Sequence, residues 1–356
     1  MKNTIIQGDC REGMRKMPPK FAHTCITSPP YFGLRDYGHA GQIGLEQTPD
    51  EYVQQLVEVF REVRRVLRDD GTVWLNLGDS YAGSGKGVWN VPDSEKANVK
   101  ETYRPTENPV KTIVDLPAKN LIGIPWRVAF ALQADGWILR QDIIWHKPNP
   151  MPESVTDRCT KAHEYIFLFS KQQKYYYDAD AIKEPCVWDT GGMTEKRTDR
   201  AHEDHKAMPT VLKNGIRPKK KGPQTFGGSK AREGQESGGD PRNGHRAEEN
   251  SQWGKVWDSE NTTRNKRSVW TVATKPYAEA HFATFPPELI TPCILAGCPE
   301  GGIVLDPFMG SGTVAATALR LSRNYLGCEL NPDYIALANN RIYSAGTMFT
   351  KINFAL

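Results

Sequence analysis

The stretch IVLDPFMGSGTVAATALRL, Ile303–Leu321, decides the fold. Gly301–Asp306 reads as a buried strand, a loop with Gly310 and Gly312 follows, and an alanine-rich helix comes next. Glycines at such a turn let the backbone approach a ligand closely, and the helix start offers unpaired N–H groups. Seventeen residues after Gly312 the next strand, Asn324–Glu329, ends in an acid. In doubly wound folds an acid about 20 residues past the glycine turn grips ribose hydroxyls. The loop alone also admits a dinucleotide, although the spacing departs from G-x-G-x-x-G, since only Gly310 and Gly312 match and Ala315 holds the third place. Asp306 tips the choice. A carboxylate there repels a pyrophosphate but suits the ammonium of an amino-acid ligand, which favours S-adenosyl-L-methionine, a cationic ligand without phosphate.

The same strand–helix alternation extends outward. Asn3–Gln7 and His23–Thr27 read as strands around a helix holding Met14 and Met17. Thr48-Pro49-Asp50-Glu51 is a capping box with proline at the first helical position. The helix it opens lines up Tyr52, Leu56, Val59, Val63, Val66 and Leu67 and is expected to end at Gly71. Thr72–Asp79 is a nearly continuous apolar strand, as in a sheet covered on both faces. Ile124–Gln133 reads as a helix, and Trp137–Lys147 and Glu164–Lys171 as strands. Towards the C-terminus Phe285–Leu295, Gly312–Leu321 and Pro332–Ser344 read as helices. The order predicts a doubly wound, mostly parallel α/β sheet.

At 356 residues the chain is long enough for a large core, and with 38% hydrophobic and 25% charged residues it is globular. No apolar run is long enough to span a membrane, and the polar start MKNTIIQGDC is no signal peptide. Seven scattered cysteines argue for a reducing, cytoplasmic setting rather than a disulfide framework, and no ligand spacing points to a metal. The net charge is +4, but residues 186–268 alone carry 17 Lys+Arg against 12 Asp+Glu, or +5, leaving −1 elsewhere. Within it, residues 189–252 hold only ten apolar side chains in 64 positions, too few for a core. Such a stretch is a linker, or a surface that orders on a polyanion. Domain bounds follow: 1–185, a basic insertion at 186–268, and 269–356 completing the first domain.

A second oddity lies in CITSPPYFGLRDYG, Cys25–Gly38, where an apolar strand stops at Ser28-Pro29-Pro30-Tyr31. The double proline either merely ends a strand or holds carbonyls and an aromatic ring rigidly toward a ligand. With Ser28–Tyr31 and Asp306–Thr313 both in view, the sequence resembles the amino-group DNA methyltransferases. That family carries a D/S/N-P-P-Y/F tetrapeptide and a D-P-F-x-G-S-G-T motif. Further matching segments are IIQGDC, GTVWLNLGDSY, IIWHKPNPMPES, AHEYIFLFSK, HFATFPPELI and YLGCELNPDYI. The tetrapeptide precedes the donor motif, the order of the family's circularly permuted β group.

The resemblance implies a Rossmann-like S-adenosylmethionine-dependent methyltransferase fold with a polar target-recognition insertion. It implies S-adenosyl-L-methionine as cofactor, held by Asp306, Pro307, Phe308, Gly310, Ser311, Gly312, Thr313 and Glu329. Asp9 and Cys10 are expected near the donor's adenine and Phe285 at its methionine end. Ser28, Pro29, Pro30 and Tyr31 form the catalytic motif: Ser28 and the Pro29 carbonyl accept protons of an exocyclic amine, and Tyr31 stacks on the base. Attack is expected to be direct, after the base leaves the duplex stack. DNA contacts are expected from Lys147, Lys86 in the loop GSGKG (Gly83–Gly87), Arg217, Lys219, Lys220 and Lys221. That loop is no P-loop, since Ser80 replaces the first glycine and Gly87 the hydroxyl residue.

A leading serine is commoner among cytosine-N4 members, which favours that base over adenine N6. Ring-carbon methylation would need a cysteine nucleophile, and Pro292-Cys293 lies in an apolar helix where cysteine reads as core. A donor-binding regulator without activity, an RNA or small-molecule methyltransferase and, last, a dinucleotide oxidoreductase, for which the double proline has no use, are the remaining alternatives. Expected partners are double-stranded DNA, with a homodimer and a cognate restriction endonuclease admitted by the resemblance but fixed by no sequence feature.

Overall fold

A nine-stranded sheet forms the frame of the computed structural model, which describes residues 1–34, 36, 38–39, 41–83, 116–186, 263–275 and 285–345 and the backbone of 353–355. Its strands are β1 (Thr4–Gln7), β2 (Ala22–Thr27), β3 (Leu67–Leu77), β4 (Ile138–His146), β5 (His163–Ser170), β6 (Val269–Thr271), β7 (Ile303–Asp306), β8 (Asn324–Glu329) and β9 (Asn353–Ala355). They lie in the order β9-β1-β8-β7-β2-β3-β5-β4-β6. Every neighbouring pair is parallel except those made by β5, which runs antiparallel between β3 and β4. From β7 the chain moves on to β8 on one side, and from β2 to β3 on the other. The junction of β7 and β2 is therefore a topological switch point, where open α/β sheets bind ligands.

Strand alternation splits the core into two layers. Ile303, Leu305, Val73 and Leu75 face α1 (Cys10–Arg15), α2 (Pro49–Val66) and α3 (Ile124–Ala134). Val304, Trp74, Ile26 and Tyr325 face α4 (Pro287–Gly297), α5 (Thr313–Arg320) and α6 (Pro332–Ala345). The central strands are thus apolar on both faces, as their unbroken sequences suggest. The capping box is present: Glu51 N–H donates to Thr48 Oγ1 at 3.2 Å, and Glu51 Oε2 accepts from Thr48 N–H at 3.2 Å. Among the described residues no helix is long and apolar enough to cross a membrane.

Four expectations need correction. Helix α2 stops at Val66, not at Gly71, because Lys20 and Phe21 N–H take the Arg65 and Val66 carbonyls at 3.0 and 2.7 Å. Leu67 is already extended, with ψ 143, and pairs with Ala22. Thr24 then pairs with Thr72, so the polar residues 68–71 bulge out of the ladder. Met17 lies beyond α1, although it is buried. Helix α4 begins at Pro287 rather than Phe285, since residues that precede proline avoid the helical region. The strands β6 and β9 were not anticipated. The chain divides into two compact units, 1–184 with 265–356, and 185–264. The second unit ends at Arg264 rather than at 268: Ser268 O already accepts from Ile144 N–H at 2.8 Å, and Val269–Thr271 pairs with β4.

Candidate active site

A cavity of about 620 Å³ opens at the carboxyl ends of β1, β2, β3, β4, β7 and β8. That is within the usual range for small-molecule sites, roughly 300–1,000 Å³. It brings together the two motifs, which lie more than 270 residues apart in the chain: Ser28, Pro29, Pro30 and Tyr31 line it, and so do Asp306, Pro307, Phe308, Gly310, Ser311, Thr313 and Glu329. Asp9, Cys10, Phe285 and Lys147 line it as well. Gly312 is not at the wall. It starts α5 with φ +77, and a Cβ there would lie 2.9 Å from Ala338 Cα, so it serves close packing of the loop on α6.

On the β7–β8 side the polar groups are fixed by backbone. Asp306 is buried, and its Oδ1 accepts from Thr27 Oγ1 at 2.7 Å and from Phe308 N–H at 3.0 Å. Among the described residues its Oδ2 has no such bond. Burial pushes this carboxyl from its ordinary 3.8 up to about 7. Glu329 accepts from Gly310 N–H at 2.7 Å and Asn331 N–H at 2.9 Å, and burial raises it too. A buried carboxyl short of one partner fits a cationic amino group, and a second acid 19 residues beyond Gly310 fits a diol. The residues present therefore suit S-adenosyl-L-methionine.

Asp9 caps α1 by accepting from Arg11 N–H at 2.8 Å, and its carboxylate also meets the Arg11 guanidinium at 2.8 Å. Burial works against its charge, but Arg11 outweighs it and holds the carboxyl below the usual range. The Cys10 thiol is pushed up to about 12 by burial, which makes it a wall rather than a nucleophile. Cys293 is likewise a buried α4 residue whose thiol burial raises, and its S–H points to Leu289 O at 3.8 Å.

On the β2–β3 side the polar groups are side chains from four strands. The Tyr31 ring lies so close to Gly78 that a Cβ there would meet Cε2 at 2.4 Å, so only glycine admits the ring. The Tyr31 hydroxyl donates to Glu164 Oε2 at 2.8 Å, with Asn76 Oδ1 as a second acceptor at 3.2 Å. Ser28 Oγ–H donates to the Tyr31 oxygen at 3.5 Å. Asn76 Nδ2 reaches Glu164 Oε2 at 3.3 Å and Tyr165 O at 3.1 Å. Lys147 pairs with Glu164 Oε1 and sits 4.3 Å from the centroid of the Trp145 ring. Burial, and then Glu164, raise the Tyr31 hydroxyl well above its usual range.

Several of these partners escaped sequence reasoning. Asn76 had a signal, a lone amide in the apolar run VWLNLG. Glu164 and Trp145 fall at strand ends of matching segments but carry no spacing rule. Arg341 had none: from α6 it donates to Ser311 Oγ at 3.1 Å and Thr313 Oγ1 at 2.7 Å, tying the glycine loop down. Asp79, beyond β3, receives Gly123 and Ile124 N–H at 3.0 Å each and so caps α3. Lys86, Arg217, Lys219, Lys220 and Lys221 lie outside the described residues.

Sheet order, switch-point cavity and glycine loop define a doubly wound fold of the S-adenosylmethionine-dependent methyltransferase type. Two solved structures share it. PvuII DNA methyltransferase (cytosine-N4-specific) aligns with a TM-score of 0.55 at 16% identity, over 99% of this chain and 90% of its own. A putative DNA modification methylase from Thermus thermophilus, solved with S-adenosyl-L-methionine, aligns with a TM-score of 0.52 at 19% identity, over 98% and 97%.

The family follows from sequence. The DNA methylase family of N6 and N4 methyltransferases matches residues 22–340, and the chain belongs to it. Type II methyltransferase M.SmaI of Serratia marcescens is 41% identical over 95% of this chain and 90% of its own length. M.XycI of Xanthomonas campestris pv. cyanopsidis is 40% identical over 98% and 91%. The protein is thus a type II DNA methyltransferase by family, acts on DNA, and belongs among enzymes whose methyl donor is S-adenosyl-L-methionine.

Proposed function

We propose that this protein methylates the exocyclic N4 of cytosine in duplex DNA by direct attack on the donor methyl, after the target base has left the stack. One observation carries the reading: Ser28 and Pro29, two rigidly held acceptors, share a single cavity with Asp306, Glu329 and the glycine loop. When bound, S-adenosyl-L-methionine supplies a methyl carbon made electrophilic by its sulfonium. Asp306 and Glu329 grip the two polar ends of that donor, with Phe285 and the Asp9–Cys10 turn as walls.

The cytosine amine is a weak nucleophile because its lone pair is delocalised into the ring. Ser28 Oγ and the Pro29 carbonyl accept its two N–H bonds, which turns the lone pair out of conjugation and stabilises the positive charge that grows on nitrogen. The double proline fixes both acceptors, so placement supplies most of the rate. Tyr31 presents its ring to the base, and Lys147 lies within reach of the flipped nucleotide. The buried, proton-bound thiols of Cys10 and Cys293 speak against a covalent cysteine route. The leading Ser28 favours cytosine over adenine. The basic stretch at 186–268 reads the target sequence, with Arg217, Lys219, Lys220 and Lys221 meeting phosphates there and Lys86 meeting them from the Gly83–Gly87 loop, and the enzyme works beside a cognate restriction endonuclease in the cytoplasm.

A tritiated methyl-transfer assay on duplex DNA, single-stranded RNA and free nucleosides tests this. Duplex DNA is expected to be labelled far above the other two. Preferential labelling of RNA would overturn the reading.

A further inference from the structure

Glu164 has no part in the reading above, yet three side chains on the base side of the cavity, Tyr31, Asn76 and Lys147, converge on it. Its Oε2 takes the Tyr31 hydroxyl at 2.8 Å and Asn76 Nδ2 at 3.3 Å, and its Oε1 takes the Lys147 ammonium. It is largely withdrawn from water, with 15% of its side chain exposed, and Lys147 is equally withdrawn at 19%. A carboxylate this buried is retained at a cost unless charge and hydrogen bonds are fully met. What it does there follows from proton counting.

An ionised carboxylate can only accept, and lysine can only donate. Lys147 fills one oxygen of Glu164, so the Tyr31 hydroxyl, which has a single proton, must donate inward. Asn76 Oδ1, at 3.2 Å, is a longer and uncharged second acceptor for the same proton. With its proton spent, the Tyr31 oxygen can only accept from Ser28, whose Oγ lies 3.5 Å away. That contact is long and weak, but its direction is set. The Ser28 proton turns toward Tyr31, and the Ser28 lone pairs are left for the cavity.

Resting on the proposed amino-methyl transfer, we infer that Glu164, held by Lys147, is a positioning residue: through Tyr31 it orients the Ser28 hydroxyl as an acceptor for the target amine. Without that bias a serine hydroxyl is free to donate as readily as accept, and a donor pointed at an amine opposes the reaction. Methyl transfer forms an N–C bond, breaks the donor's C–S bond with the electron pair going to sulfur, and leaves one N–H proton to depart to solvent. Glu164 takes no part in these bond changes.

The test is a kinetic cycle with Y31F, E164Q and Y31F/E164Q, measured as tritium transfer to duplex DNA with kcat and both KM values separated. Donor affinity by calorimetry and a thermal midpoint report folding. E164Q is expected to lower kcat by about 10- to 100-fold, the worth of a charge-assisted hydrogen bond, with the donor KM unchanged. Y31F should cost about the same, and the double variant no more than either alone. If an unpaired Lys147 unfolds E164Q, E164Q/K147Q removes both charges, and E164Q/K147Q is then compared with and without Y31F. Wild-type kcat in E164Q, or losses that multiply in the double variant, would overturn the inference while leaving the methyltransferase reading intact. A wild-type protein that labels no DNA would sink the reading itself.

Discussion

The two walls of the cavity are built in opposite ways. On the β7–β8 side Asp306 and Glu329 accept from the backbone N–H groups of Phe308, Gly310 and Asn331, one Asp306 oxygen stays open among the described residues, and Thr27 is the one strand neighbour that joins in. On the β2–β3 side, Ser28, Tyr31, Asn76, Lys147 and Glu164 converge from segments up to 136 residues apart, and side chains bond to side chains. The first wall is pre-shaped by a strand, a tight turn and a helix start, so it is suited to holding an invariant ligand. The second depends on sheet register, so it is suited to aligning reactive groups. Damage to the first should show in donor affinity, and damage to the second in turnover.

The largest separation is expected for Ser28→Ala. Loss of one amine acceptor should lower kcat about 100-fold, comparable to deleting a single oxyanion-hole partner, while calorimetric donor affinity stays within about twofold. Weakened donor binding in this variant would merge the two walls. Gly312→Ala is the mirror case. At φ +77, with its Cβ 2.9 Å from Ala338, the substitution should destabilise the protein by about 2 kcal/mol and weaken donor binding about tenfold. Thermal unfolding and calorimetry check both numbers.

Proton linkage sharpens the comparison further. Asp306 ionises near 7 when folded and at its ordinary 3.8 when unfolded. The unfolded chain therefore releases this proton first, and the contribution of this group to stability is full below about pH 4 and lost as pH rises to 7. A bound ammonium would favour the charged form and pull the pKa down. Donor binding near pH 7, where this carboxyl is half protonated, should thus release up to about half a proton, seen as a buffer-dependent binding enthalpy. An enthalpy independent of buffer would place the ammonium elsewhere. The smallest effect is expected from Thr48→Ala. Its capping box lies outside the cavity, so about 1 kcal/mol of stability should go, with kcat and donor affinity unchanged.

The same contrast explains what was legible in the sequence. The donor wall was readable because its parts sit within Ile303–Glu329, where glycine, acid and helix start have local physical meanings. The elements themselves were readable by periodicity, and β8 agrees at both ends. Helix α2 overran to Gly71 in the sequence reading because residues 68–71 carry no breaker until the glycine. What stops the helix is the distant Lys20–Phe21 segment. Glu164 and Arg341 were missed for the same reason. No spacing rule marks either, and each acquires its role from a strand or loop that the fold brings alongside.

The central claim is that the two walls meet to methylate an exocyclic amine, and mass spectrometry of nucleosides tests it most directly. Duplex DNA incubated with the purified protein and S-adenosyl-L-methionine is digested and analysed. N4-methylcytosine is the predicted product. N6-methyladenine in its place would contradict the choice of base, and 5-methylcytosine would contradict the mechanism.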